Sequence, residues 1–112
     1  MHTHASPRAA VGFLIHAAGL AREALGPRIN LSMPGVSCTV AEQIAALKRI
    51  AGERVAARIK RAEDPLVARI VAGWPQRIEA RRARELGFAA ENSFEEIVHI
   101  HIDDDRGGSF VA

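Results

Sequence analysis

Arginine combines a permanent charge with a fork of donors matched to a carboxylate, and three places in this chain use it suggestively. Ser6-Pro7-Arg8 sets a guanidinium in the first turn of an otherwise apolar helix. Beside helix-terminal amides it could hold an anionic group such as a carboxylate bidentately. Pairing of Arg8 with one of the chain's own carboxylates fits the residues equally well. Arg61 and Asp64 stand in the spacing R-x-x-D just before Pro65. From the residues alone they are a local ion pair and a cap for the next helix. Arg77, Arg81, Arg82 and Arg84 form a basic patch with few aromatics between them for base stacking. A solvated helix face describes it better than a phosphate or RNA surface.

Histidine is the commonest neutral metal ligand, and His2-Thr3-His4 and His99-Ile100-His101 have a tempting spacing. Residues two apart point about 200° apart on a helix, and "FEEIVHIHIDDD" has a helical pattern, so His99 and His101 cannot chelate together there. Asp103-Asp104-Asp105 is a solvated charge run before it is a cation site, and no metal ligands are assigned. Cys38 is the one cysteine; it excludes an intrachain disulfide and fits a reducing compartment. It has the character of a small buried hydrophobe, not a nucleophile. Nucleophile-elbow, Walker and Rossmann glycine patterns are all missing, and the chain contains no tyrosine.

The elements that position these residues follow from periodicity and punctuation. Ser6 caps a helix predicted from Pro7 to Leu25, stopped by Gly26-Pro27. "RINLSMP", with Ile29 and Leu31 alternating, predicts a short strand. Thr39 and Glu42 form a capping box for a helix with an Ile44, Leu47, Ala51 stripe, closed by Gly52. "ERVAARIK", residues 53–60, alternates as a second strand. Asp64 caps a helix carrying Leu66, Val67, Ile70 and Val71. A short basic helix through Ala83 and Leu86 stops at Gly87, with Phe88 packing back. Ser93 caps a last helix using Phe94, Ile97 and Val98, and residues 106–112 look like a frayed tail.

The 112 residues are a common length for one domain and leave no room for a second. Apolar residues make up 48% of them, but many are alanine, so the core must be modest. Fifteen basic against thirteen acidic residues leave +2, too little for an electrostatic footprint on nucleic acid. The N-terminal stretch lacks a basic leader and is interrupted by Arg8, His16 and Arg22, so neither a signal peptide nor a membrane span is expected. The expected location is cytoplasmic.

"ARRARELGFAAENSFEEIVHIHID" resembles the C-terminal signature of extended short-chain dehydrogenases and nucleotide-sugar epimerases, the NAD-dependent epimerase/dehydratase family. There a short helix with a basic residue and Ala runs into Leu-Gly-Phe or Leu-Gly-Trp before a capped helix. "HASPRAAVGFLIHAA", "NLSMPGVSCTVAEQIAALKRIAG" and "ARIVAGWPQRIEARRARELGF" extend the resemblance over residues 2 to 108, toward the branch that oxidises four-carbon sugar acids. It implies an α/β fold in which residues 1–112 are a single partial domain. That domain is the small C-terminal substrate-binding lobe, mostly helical with two short strands, the Rossmann domain being absent.

The resemblance also implies roles. Ser6 and Arg8 lie where the chain enters the lobe, with Arg8 contacting a sugar-acid carboxylate. Arg61 and Asp64 match an R-x-x-D position used near a substrate phosphate, a role for which a small hydroxy acid offers no diphosphate. NAD is the cofactor of the parent family, whose catalytic Tyr-x-x-x-Lys pair and glycine-rich turn this chain lacks. The expectation is therefore no catalytic residue and no cofactor of its own, Met1 being an internal methionine or a truncated start. Its partners would be the sugar-acid substrate and a missing N-terminal Rossmann domain or a partner chain. The alternatives are a stand-alone protein-interaction module and an epimerase/dehydratase fragment.

Overall fold

Two three-residue strands, His2–His4 (β1) and Val36–Cys38 (β2), pair antiparallel with Thr3 opposite Ser37 in the computed structural model, which describes residues 1–107. So small a ladder is marginal in water, and side chains reinforce it. The Thr3 and Ser37 hydroxyls meet at 2.9 Å, and Thr3 Oγ1 also accepts from the Ile78 backbone N–H at 3.1 Å. A Cβ on Gly35 would sit 2.6 Å from the His4 carbonyl oxygen, so this close approach of two backbones requires glycine.

Seven helices complete the described residues: Pro7–Ala18 (α1), Arg22–Leu25 (α2), Val40–Ala51 (α3), Glu53–Ala56 (α4), Pro65–Ala72 (α5), Arg81–Glu85 (α6) and Phe94–Asp105 (α7). The four longest start where an oxygen side chain can take an orphan N–H. Ser6 accepts from Ala9, Thr39 from Glu42, Asp64 from Leu66 and Val67, and Ser93 from Glu96. At α7 the Glu96 carboxylate reaches back one residue further, to the Asn92 N–H.

The mostly helical domain with two short antiparallel strands matches the expected class, but three elements differ from the sequence reading. The long first helix breaks at Gly19, whose N–H returns to Ile15 and His16, and Ala21 is extended before α2. Glycine weakens a helix interior by roughly 0.5–1 kcal/mol relative to alanine, and breaking there lets Leu20 turn into the core. Residues 28–33 do not form a strand. Leu31 and Met33 do pack inward, but the carbonyls of Leu25, Arg28 and Asn30 accept from the Arg82 guanidinium instead of a ladder. Residues 53–60 are α4 and a turn. Gly52, at φ +88°, swings the chain back so that α4 packs on α3, and Lys48 pairs with Glu53 at 2.9 Å. Alternating Ala and Arg offered little hydrophobic contrast there, and Ile59 ends up exposed.

The main core gathers Ala80, Ala83 and Phe88, with Phe13, Leu20, Leu31, Met33, Ile78 and Leu86 around them. A Schellman closure makes it: Gly87 N–H donates to Arg84, Phe88 N–H donates to Ala83, and Gly87 takes φ +92°. The start of α6 carries no side-chain cap, because its N-cap position is Ala80.

The body is a slab, 50 × 37 × 17 Å, with a radius of gyration of 16.6 Å. A compact domain of this length would have about 13 Å. Apolar side chains are accordingly left outside: Val11, Leu14 and Ile15 on α1, and Leu66, Val67, Ile70 and Trp74 on and after α5. No helix among the described residues is long and apolar enough to cross a membrane. The frayed tail expected at residues 106–112 lies largely outside the described residues.

Candidate functional site

Ser6 is 1% exposed, the most buried polar residue among those described. Its hydroxyl caps α1 and also donates to Glu91 Oε2 at 2.7 Å, while its backbone N–H donates to Glu91 Oε1 at 2.9 Å. Both oxygens of one carboxylate are thus held at the entrance to α1. Arg8, one turn in, reaches across to α7: Nε meets Asp104 Oδ2 at 3.0 Å and an Nη meets Oδ1 at 2.6 Å. This fork-to-carboxylate geometry is the one a bound acid would use. The hydrogen bond raises the Arg8 pKa and holds Asp104 below its ordinary carboxylate value. Both side chains are about half exposed. Arg8, Gly12, Glu91, Glu96 and Ile100 line a shallow hollow at this junction.

The structure brings Ser6 and Arg8 together but not Arg61 and Asp64. Those two lie in an exposed stretch around α5, and no hydrogen bond or ion pair among the described residues links them to each other, to Ser6 or to Arg8. Asp64 serves as the α5 cap; Arg61 is exposed.

A second concavity, of about 720 Å³, opens between β2 and α6. Arg77, Arg81 and Arg84 line it together with Glu79, Glu85 and Glu91. The fourth arginine of the sequence patch, Arg82, turns away onto the 25–30 carbonyls and is structural. Sequence reasoning missed Glu91 altogether. It sits in the irregular "AENS" before a helix cap, where neither periodicity nor spacing distinguishes it, and only the fold brings it to Ser6, eighty-five positions away.

Among the remaining histidine candidates, His2, His4 and His101 are occupied by structural contacts, while His99 is exposed. His101 pairs with Asp105 at 2.9 Å, and His2 and His4 stand edge-on to Trp74 and Phe94. Burial, then the neighbouring His2, pushes the His4 pKa down. His16 Nε2 donates to the Leu86 carbonyl oxygen at 2.8 Å, and its ring packs edge-on against Phe88. No group of three or more His, Cys, Asp or Glu side chains among the described residues could hold a metal ion. Burial raises the Cys38 thiol pKa, which disfavours the nucleophilic thiolate.

No family model matches the chain. It is 42% identical over 99 residues to D-erythronate dehydrogenase of Cupriavidus necator, covering 88% of this chain and 31% of that protein. D-erythronate dehydrogenase of Haemophilus influenzae is 33% identical over 100 residues, covering 89% of this chain and 32% of its own length. The crystal structure of a nucleoside-diphosphate-sugar epimerase from Agrobacterium tumefaciens superposes with a TM-score of 0.92 at 58% identity, over 96% of this chain and 32% of that one. The chain is homologous to these proteins and spans about a third of their length.

Proposed function

We propose that this chain acts as the substrate-binding lobe of an NAD-dependent sugar-acid dehydrogenase of the D-erythronate type, closing over a substrate whose secondary hydroxyl is oxidised. The observation that carries this reading is the slab shape with uncovered apolar faces on α1 and around α5. Contiguous apolar surface of this kind marks an interface. The agreement with one third of a longer relative supports the view that such a face is normally covered by further protein.

In this reading Ser6 and Glu91 fix the entrance to α1, and Arg8 takes the substrate carboxylate by exchange with Asp104. Arg61 and Asp64 contact the substrate from the start of α5, which Asp64 also caps. The chain's residues do not fit the dinucleotide itself. The glycines with left-handed backbone, Gly26, Gly52, Gly87 and Gly107, stand in separate turns and make no phosphate cradle. With no tyrosine in the chain, the proton-transfer group of the parent reaction must also come from elsewhere. The lobe supplies binding and orientation, and it is not catalytic alone. It is assigned to the cytoplasm with its parent enzyme.

Calorimetry tests this: titration of the chain with NAD is expected to show no saturable heat, and saturable binding at micromolar affinity overturns the reading. The same exposed faces also favour a stand-alone protein-interaction module, and the Agrobacterium relative's name favours an epimerase fragment. Monomeric light scattering at high concentration counts against the interaction module.

A further inference from the structure

We propose that the groove between β2 and α6 binds a small hydroxylated acid, its acid group taken by Arg81 and Arg84 and its hydroxyls by Glu79 and Glu85. Three observations lead there. First, Arg77, Arg81 and Arg84 converge on one concavity of about 720 Å³, within the range of small-molecule sites. Second, the groove's charges are not used on each other. The ion pairs among the described residues are Arg8–Asp104, Lys48–Glu53, Arg49–Glu95 and His101–Asp105, and none involves the groove. Arg81 and Arg84 are three apart on one helix and so neighbours on its surface, where both can reach one anion in the groove. Third, the walls are well set. α6 is held by Arg82 on one side and by the Schellman closure at its end, while β2 is locked to β1 through Thr3.

The carboxylates select the ligand class. Glu91 is engaged by Ser6 through both oxygens. Glu79 and Glu85 are exposed in the groove, and they would repel a bare polyanion. They accept hydrogen bonds from hydroxyls, so an acid bearing neighbouring hydroxyls satisfies both signs of charge at once. This rests on the sugar-acid reading only for its choice of probe.

The test is a nuclear magnetic resonance titration of the labelled 112-residue chain with D-erythronate, acetate and the neutral polyol erythritol. D-Erythronate is expected to move the amides of Arg77, Glu79, Arg81 and Arg84 saturably, acetate to bind at least about fivefold more weakly, and erythritol to leave them unmoved. Arg81→Gln with Arg84→Gln is expected to weaken D-erythronate binding about tenfold or more with unchanged circular dichroism. Arg77→Gln, in the preceding loop and outside the helix, gives a smaller loss in the same direction. Shifts centred on Arg8 instead, equal binding of acetate, or variants that bind like the parent overturn the proposal. Binding is measured without turnover, so a failure here leaves the lobe reading standing, and the converse holds too.

Discussion

Replacing Ser6 by alanine removes one oxygen that serves two partners. The hydroxyl accepts from the Ala9 N–H at 3.0 Å and donates to Glu91 Oε2 at 2.7 Å, in a site where Ser6 itself is 1% exposed. Loss of an N-cap costs about 0.5–2 kcal/mol, and loss of a hydrogen bond to a charged group about 1.5–3 kcal/mol. Glu91 keeps the backbone donor of residue 6 and is only partly buried, so the combined loss should fall near 2–4 kcal/mol. Urea denaturation measures it. With a slope of about 2 kcal/mol per molar for a small protein, the midpoint should fall by roughly 1–2 M with the slope unchanged. Glu91→Gln keeps an acceptor but removes the charge, and the double variant should lose less than the two singles together, because the residues share a bond. A loss below about 0.5 kcal/mol in Ser6→Ala, the size of an ordinary surface substitution, would refute the claim that this pair fixes the entrance to α1.

Other consequences follow from the same geometry. Asp104, held below its ordinary value of 3.8 by the Arg8 hydrogen bond, contributes stability that is present above that value and lost as pH falls through the lower folded one. Carboxyl resonance titration should show this depressed midpoint, and Arg8→Gln should return it to the ordinary value; an unmoved midpoint contradicts the pairing. Gly87→Ala should destabilise by about 1–2 kcal/mol, since the left-handed backbone penalises a Cβ. That Cβ would also meet the His16 ring at 3.1 Å. Thermal unfolding checks this, and an unchanged midpoint would mean that the Schellman turn is not needed.

How far the fold was legible depended on whether the signal was local. Ser6, Thr39, Asp64 and Ser93 could be identified as caps because a capping oxygen acts within three residues, and all four do so. Gly87-Phe88 was legible for the same reason. The strands were not. Their number was right, but β1 lies at His2–His4 and β2 at Val36–Cys38, joined by contacts across thirty-odd residues that no short-range alternation encodes. Ile29 and Leu31 do alternate, yet Arg82 engages carbonyls of that segment from more than fifty positions away. The site divides likewise. Arg8 was visible as an arginine in a first turn, while its partner Asp104 sat in what looked like a solvated acidic run. Glu91 had no local signature at all. The apolar stripe of α5 was legible as a stripe, but its exposure follows from the slab shape and not from its own pattern.

The most direct test of the lobe reading joins this chain to the two thirds of Cupriavidus necator D-erythronate dehydrogenase that it does not match, in place of that enzyme's own homologous third. NADH formation from NAD and D-erythronate is then measured. The account predicts turnover by the chimera and none by either piece alone, with turnover falling when Arg8 is changed to Gln. A folded chimera that binds NAD and forms no NADH from D-erythronate would contradict it.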